Sequence, residues 1–245
     1  MKGRNLTRIK GALFDKDGTL IDFTATWRGL VEGMIATCAG EDAALAADLG
    51  AAIGFDPATG LFLPGSPVVA GSTGEVAALM AALLPGTHAD EIEREANRRA
   101  AAAAGVSPTP GLMAALARLA EMGLTLGVAT HDSEAAAHAH TRALGLDGRF
   151  AFIAGYDSGC GLKPGPGMVR AFCRATGLSP SDVVMVGDSV HDLGAGRAAG
   201  AAAAIGVLTG PAPEAELAPF ADAILDAVAD LPDFLIRQFP AGAPG

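Results

Sequence analysis

Short apolar runs recur along this chain with helical patterns between them, and this alternation constrains the fold more than any other feature. The runs fall at 9–14 (IKGALF), 124–129 (LTLGVA), 150–154 (FAFIA), 182–187 (DVVMVG), 202–207 (AAAIGV) and 222–225 (DAIL). Each has the length of a strand and is too short for a helix. Between them, 111–122, 133–144, 166–176 and 190–199 read as helices. Gly123 stops the first of these, and Ser133 and Glu134 open the second as cap and first-turn acid. Strands alternating with helices form a mostly parallel sheet covered on both faces, so the expected class is α/β in three layers.

One stretch breaks the rhythm. Residues 25–38, 41–53, 73–84 and 88–104 read as helices, with the Gly/Pro-rich FDPATGLFLPGSP between two pairs of them. This predicts an inserted helical cap at 23–106 and an α/β core made of 1–22 and 107–235. SPTPG (107–111) is the expected hinge back to the core. Asp22 is placed to cap the first inserted helix. Residues 236–245, ending PAGAPG, are expected to form a tail.

Composition narrows the function. The chain has 245 residues, half of them hydrophobic, and a formal net charge of −10. Such a chain has no global attraction for nucleic acid or for an anionic membrane, and neither is expected as a partner. An anionic substrate would need a local cation or helix N-terminus. Cys38, Cys160 and Cys173 lack metal-ligand spacing and read as reduced thiols in a cytoplasmic setting. No run is long and apolar enough for a membrane span, and the basic N-terminus precedes too short an apolar stretch for a signal peptide.

In open α/β sheets, ligands bind beyond the carboxyl ends of the strands. Four polar groups fall there. The first strand runs into Asp15 and Asp17 with Gly18 and Thr19 behind them, in DKDGTL. The second ends at Thr130 in VATHDS, and Lys163 follows the third in GCGLKPGPG. The fourth ends at Asp188 in GDSVHD, with Asp192 four residues on. Bland readings exist for each: turn or cap for the acids, a strand hydroxyl for Thr130, a loop lysine for Lys163.

Taken together and in this order, the four resemble the motifs of the haloacid dehalogenase-like superfamily. DKDGTL resembles its DxDGT, VAT its strand ending in Ser or Thr, Lys163 its third motif, and GDSVHD its GDxxxD. The resemblance covers about 1–22 and 107–230 and implies a Rossmann-like core with a helical cap. The texture of VATHDSEAAAHAH and LKPGPGMV is most similar to phosphoglycolate phosphatase-like members.

The resemblance implies a Mg²⁺-dependent phosphatase acting on a small phosphorylated metabolite, phosphoglycolate-like being the leading expectation. Asp15 would attack phosphorus and form an aspartyl-phosphate. Asp17 would protonate the leaving alcohol and then deprotonate water. Two acids are needed because the nucleophile cannot also be the acid. Asp15, Asp188 and the backbone carbonyl of Asp17 would hold Mg²⁺, with Asp192 supporting the metal or simply opening a helix. Gly18, Thr130, His131 and Lys163 are the implied phosphate and substrate contacts. Many relatives carry Asn where His131 stands, so His131 fits either a leaving-group contact or a structural histidine. His138, His140 and Asp132 follow one polar helix face and do not suggest a metal set.

Related reactions are separable. Asp17 disfavours the dehalogenases, which lack that acid. The chain's four lysines (Lys2, Lys10, Lys16 and Lys163) all lie outside the cap, which disfavours a phosphonoacetaldehyde hydrolase. A phosphohexomutase of the β-phosphoglucomutase type and a non-catalytic binding module remain as alternatives. Specificity is expected from 54–67, with Arg28 either an exposed helix arginine or a partner for a substrate carboxylate.

Overall fold

The computed structural model describes residues 9–63, 65–102 and 105–239. From β1 (Gly11–Phe14) the chain passes into an inserted run of helices. These are α1 (Phe23–Ala39), α2 (Ala43–Ile53), a hairpin of β2 (Phe55–Asp56) and β3 (Leu61–Phe62), then α3 (Pro67–Ala70), α4 (Thr73–Ala81) and α5 (Ala89–Ala102). The chain then alternates through α6 (Leu112–Glu121), β4 (Thr125–Ala129), α7 (Glu134–Ala143), β5 (Phe152–Ala154) and α8 (Gly167–Thr176). It ends with β6 (Val183–Gly187), α9 (Val190–Ala199), β7 (Ala203–Val207), α10 (Glu214–Leu217), β8 (Ala223–Leu225) and α11 (Leu231–Gln238).

Six strands form one parallel sheet in the order β5-β4-β1-β6-β7-β8. The chain builds outward from β1 on one side, then returns and builds on the other. The place where the order reverses is a topological switch point, and it opens a crevice above β1. Register puts the functional ends level. Phe14 is opposite Val128 on β4 and Val186 on β6, so Asp15, Ala129 and Gly187 follow at one height.

Alternation along β1 divides the core. Ala12 and Phe14 join Leu116, Val184 and Ile205 under α6 and α11. Leu13 points the other way, into Phe172, Val169 and Met185 under α8. Phe14 is fully buried, a burial that stabilises by about 1.5–3 kcal/mol. β1, β6 and β7 are buried along their whole length, as expected of strands covered on both faces.

The inserted helices have their own core, in which Val31, Met34, Leu49, Ile53 and Met80 meet. Local chemistry fixes their starts. Asp22 caps α1 by accepting from the Ala25 N–H at 2.9 Å. Ser72 and Glu75 form a reciprocal capping box on α4. The Gly/Pro-rich stretch is not plain loop. Asp56 accepts from Ala58 N–H and Thr59 Oγ1 and turns the chain between β2 and β3.

Two short crossings join insertion and sheet. Asp22 N–H donates to Ser107 O at 2.8 Å, and Thr109 N–H to Leu20 O at 3.0 Å. The expected tail at 236–245 starts too early. Residues 236–238 continue α11, and Phe239 is buried in the main core. PAGAPG, like residues 1–8, lies outside the described residues.

Candidate active site

The strand ends bring most of the expected residues to one place. Asp15, Lys163, Asp188 and Asp192 are all buried. Lys163 Nζ donates to Asp15 Oδ1 at 2.5 Å, Asp192 Oδ1 at 2.6 Å and Ala129 O at 3.0 Å. Burial opposes its charge, but Asp15 and Asp192 outweigh that and hold the ammonium above its ordinary pKa. Gly167 lets the Lys163 loop close: a Cβ there would stand 1.7 Å from Cys160 O.

Asp15, Asp188 and Asp192 each offer a carboxylate oxygen within 4.8 Å of the others. Lys163 pairs with Asp15 and Asp192 but not with Asp188, so three buried acids face one ammonium. Burial pushes Asp15 up to about 7, against the pull of Lys163 and helped by Asp192 and Asp17. Burial likewise raises Asp188 well above its usual range, with Asp15 and Asp192 adding to it. A divalent cation would relieve this strain, and an all-oxygen donor set is the kind that Mg²⁺ takes. Asp192 is already engaged. Its Oδ1 takes Lys163, and its Oδ2 takes Ser189 N–H and Oγ at 3.1 and 2.6 Å in the capping box of α9.

Asp17 lines the same cleft but has partners of its own. Lys16 Nζ lies 2.8 and 2.6 Å from its two oxygens, and Trp27 Nε1 donates to it at 2.6 Å. Lys16 itself is 1 % exposed. It also meets Asp132 Oδ2 at 3.1 Å and His140 Nδ1 at 3.0 Å, and lies 5.3 Å from the Trp27 ring centroid. Burial pulls Lys16 down, yet Asp17 and Asp132 hold it above its ordinary value.

Comparison with known proteins gives the family. A model of haloacid dehalogenase-like hydrolases matches residues 9–200. The chain belongs to that family. Among curated relatives of this haloacid dehalogenase-like protein, the phosphoglycolate phosphatase of Agrobacterium fabrum is 33% identical over 93% of this chain and 92% of its own. The phosphoglycolate phosphatase of Rhodospirillum rubrum is 34% identical, but over only 57% of each chain. The structure of CbbY from Rhodobacter sphaeroides, solved in complex with phosphate, superposes with a TM-score of 0.67 at 24% identity. That match covers 91% of this chain and 96% of CbbY, and it concerns the fold.

Against the family motifs, several expected contacts have other partners. Gly18 adopts φ +78°, and its N–H donates to Ile21 O at 2.8 Å, so that amide is spent inside the turn rather than offered to phosphate. What Gly18 supplies is clearance: a Cβ there would stand 2.4 Å from Asp188 Oδ2. His131 lines the cleft, but its Nε2 accepts the Lys163 N–H at 3.0 Å and so braces the lysine loop. Thr130 is buried at the cleft, and its Oγ1 accepts from Asp132 N–H at 3.1 Å. Arg28 pairs with Glu32 at 2.9 Å and packs over Gly60, outside the cleft lining. Nor does 54–67 contribute among the described lining residues, which instead include Val68, Val69 and Gly71 just beyond it.

Other residues at the site carry no readable motif. Thr209 Oγ1 donates to Gly18 O at 2.6 Å, and Gly210 gives room to Asp188, whose Oδ2 would stand 1.8 Å from a Cβ there. Asp132 and His140, which the sequence suggests only as part of a polar helix face, are instead buried, and their grouping with Lys16 and Trp27 has no sequence signal because it joins positions more than a hundred residues apart. The signal available for Lys16 was a lysine fixed between two acids at a buried strand end.

Proposed function

We propose that this chain is a Mg²⁺-dependent phosphatase working through an aspartyl-phosphate on Asp15. The observation that carries the reading is the buried Asp15, 2.5 Å from Lys163 and level with Asp188 and Asp192 at the switch point. A carboxylate oxygen of Asp15 attacks phosphorus in line, and the P–O bond to the alcohol breaks. Asp17 turns from Lys16 and Trp27, takes up a proton from water as it leaves the ammonium, and gives it to the leaving oxygen. Water then attacks the aspartyl-phosphate, Asp17 takes its proton, and phosphate leaves with Asp15 restored. Lys163 orients Asp15 and neutralises phosphoryl oxygens. Asp15, Asp188 and the Asp17 carbonyl would hold Mg²⁺, with Asp192 fixing the surroundings; the ion supplies charge neutralisation on the phosphoryl group.

The curated relatives make phosphoglycolate the first compound to try, and a small phosphorylated metabolite the substrate class. A phosphohexomutase must also hold a second phosphate, and no cationic side chain of the inserted helices lies among the described lining residues. Free thiols at Cys38, Cys160 and Cys173 suit a reducing, cytoplasmic setting. Among the described residues no helix is long and apolar enough to cross a membrane.

The test is turnover of phosphate monoesters with Mg²⁺ and with EDTA, for wild type and Asp15→Asn. Wild type should be EDTA-sensitive. The variant should lose at least about 10³-fold in kcat while folding normally. A folded Asp15→Asn protein with near-normal turnover, deamidation excluded, would sink the mechanism.

A further inference from the structure

The cleft above Asp15 and Asp17 does not stop at the sheet. It runs up into the inserted helices, where the open space is about 90 Å³. Three helices border it with side chains that also pack the insertion's own core. From α1 come Phe23, Trp27, Val31 and Met34. From α4 come Val76, Ala77 and Met80, and from α5 Ile92 and Ala96. The steps are four, four and three on α1, and four from Val76 to Met80 and from Ile92 to Ala96, so each set lies along one side of its helix.

The chemistry of the lining divides cleanly. Its charged and titratable groups, such as Asp15, Lys163 and His131, come from the sheet side. The inserted helices add hydrocarbon and, at the start of α4, the hydroxyls of Ser72 and Thr73. Ser72 Oγ is already committed to the α4 capping box. Two arginines of α5 have partners elsewhere: Arg98 and Arg99 both pair with Glu95, and Arg99 also reaches Thr37.

We infer that the alcohol esterified to the phosphate is an apolar one, a short alkyl or aryl group that enters the inserted helical bundle. A carboxylate there would be desolvated with no cation beside it, and a polyol would leave hydroxyls unpaired. An apolar group meets neither cost, and the space opens directly onto the phosphoryl-binding end. Only the reaction is taken from the phosphatase reading; the fit of the cleft can be tested without turnover.

The experiment uses the whole chain with Mg²⁺ and a series of n-alkylphosphonates from methyl to hexyl, measured by calorimetry. The expected Kd falls about fourfold per methylene until the cleft is filled. Phosphonoacetate, which carries a carboxylate, should bind at least tenfold more weakly than propylphosphonate. A flat series, no binding by any member, or preference for phosphonoacetate overturns the inference; the space would then be a packing gap. Phosphate release from hexyl phosphate and phosphoglycolate is measured alongside. A steep binding series without release from either would remove the phosphatase reading and leave the cleft assignment standing. Val69→Arg puts a cation into the lining and should shift the phosphonoacetate-to-hexylphosphonate affinity ratio at least tenfold toward the acid. An unchanged ratio in the folded variant counts against this lining.

Discussion

Lys16 separates the two acids in sequence and of those two pairs with Asp17, while Lys163 pairs with Asp15. The site is therefore two adjacent buried charge groups, each built round one ammonium. Removing one partner of a buried pair leaves the others uncompensated. Lys16→Met should lower stability by about 3–5 kcal/mol, or a Tm drop of roughly 10 °C for a chain of this size. A loss below about 1 kcal/mol would mean that Asp17 and Asp132 reach solvent or protonate freely. Asp188 behaves oppositely. It has Thr19 Oγ1 at 3.2 Å but no ammonium partner, and it sits against two further acids. Asp188→Asn should raise the Tm in EDTA by about 2–6 °C. The same variant should lose the Mg²⁺-induced rise expected of the wild type. A thermal shift assay with and without Mg²⁺ reads both, and a lower Tm in EDTA would contradict the charge argument.

At the scale of elements, α7 is the pivot between sheet and insertion. His140 on α7 uses Nδ1 to accept from Lys16 and Nε2 to donate to Ala100 O on α5. Nearby, Tyr156 donates to Glu93 and accepts from Asn97 Nδ2 at 2.9 Å. Protonating His140 would aim an N–H at the Lys16 ammonium. Burial, then Lys16, lowers its pKa from 6.5 to about 4. The unfolded chain thus takes up a proton below pH 6.5 that the folded chain refuses until about 4. Stability from this group falls as pH drops through that window. Asp15 and Asp132 have raised values of about 7 and about 6, so they gain stability over part of the same range. The His140 contribution must be read as a difference. Wild type should lose up to about 3 kcal/mol relative to His140→Gln between pH 6.5 and 4. Parallel denaturation curves for the two proteins across that window would remove the argument.

For the molecule as a whole, the sheet and its motif residues were legible because period and strand-end position are local signals. β1, β4 and β6 run directly into Asp15, Thr130 and Asp188, as their patterns indicate. The junction between sheet and insertion was not legible. Lys16 meets Asp132 and His140 across more than a hundred residues, and which stripe of α1 faces the site depends on how the insertion is set. Trp27 lies on that junction and is the chain's one tryptophan. Its Nε1 bonds Asp17, and its ring lies in the cleft lining beside Lys16. Its emission therefore reports on the contact between the inserted helices and the acid. If Asp17 leaves Trp27 when a phosphoryl group arrives, adding Mg²⁺ and hexylphosphonate should change the intensity or wavelength of that emission. Asp17→Ala should start with Trp27 Nε1 already released, and hence with altered emission and a smaller response. Should calorimetry show binding while wild-type fluorescence stays fixed, Trp27 and Asp17 do not part. The acid would then have to work from where it now stands.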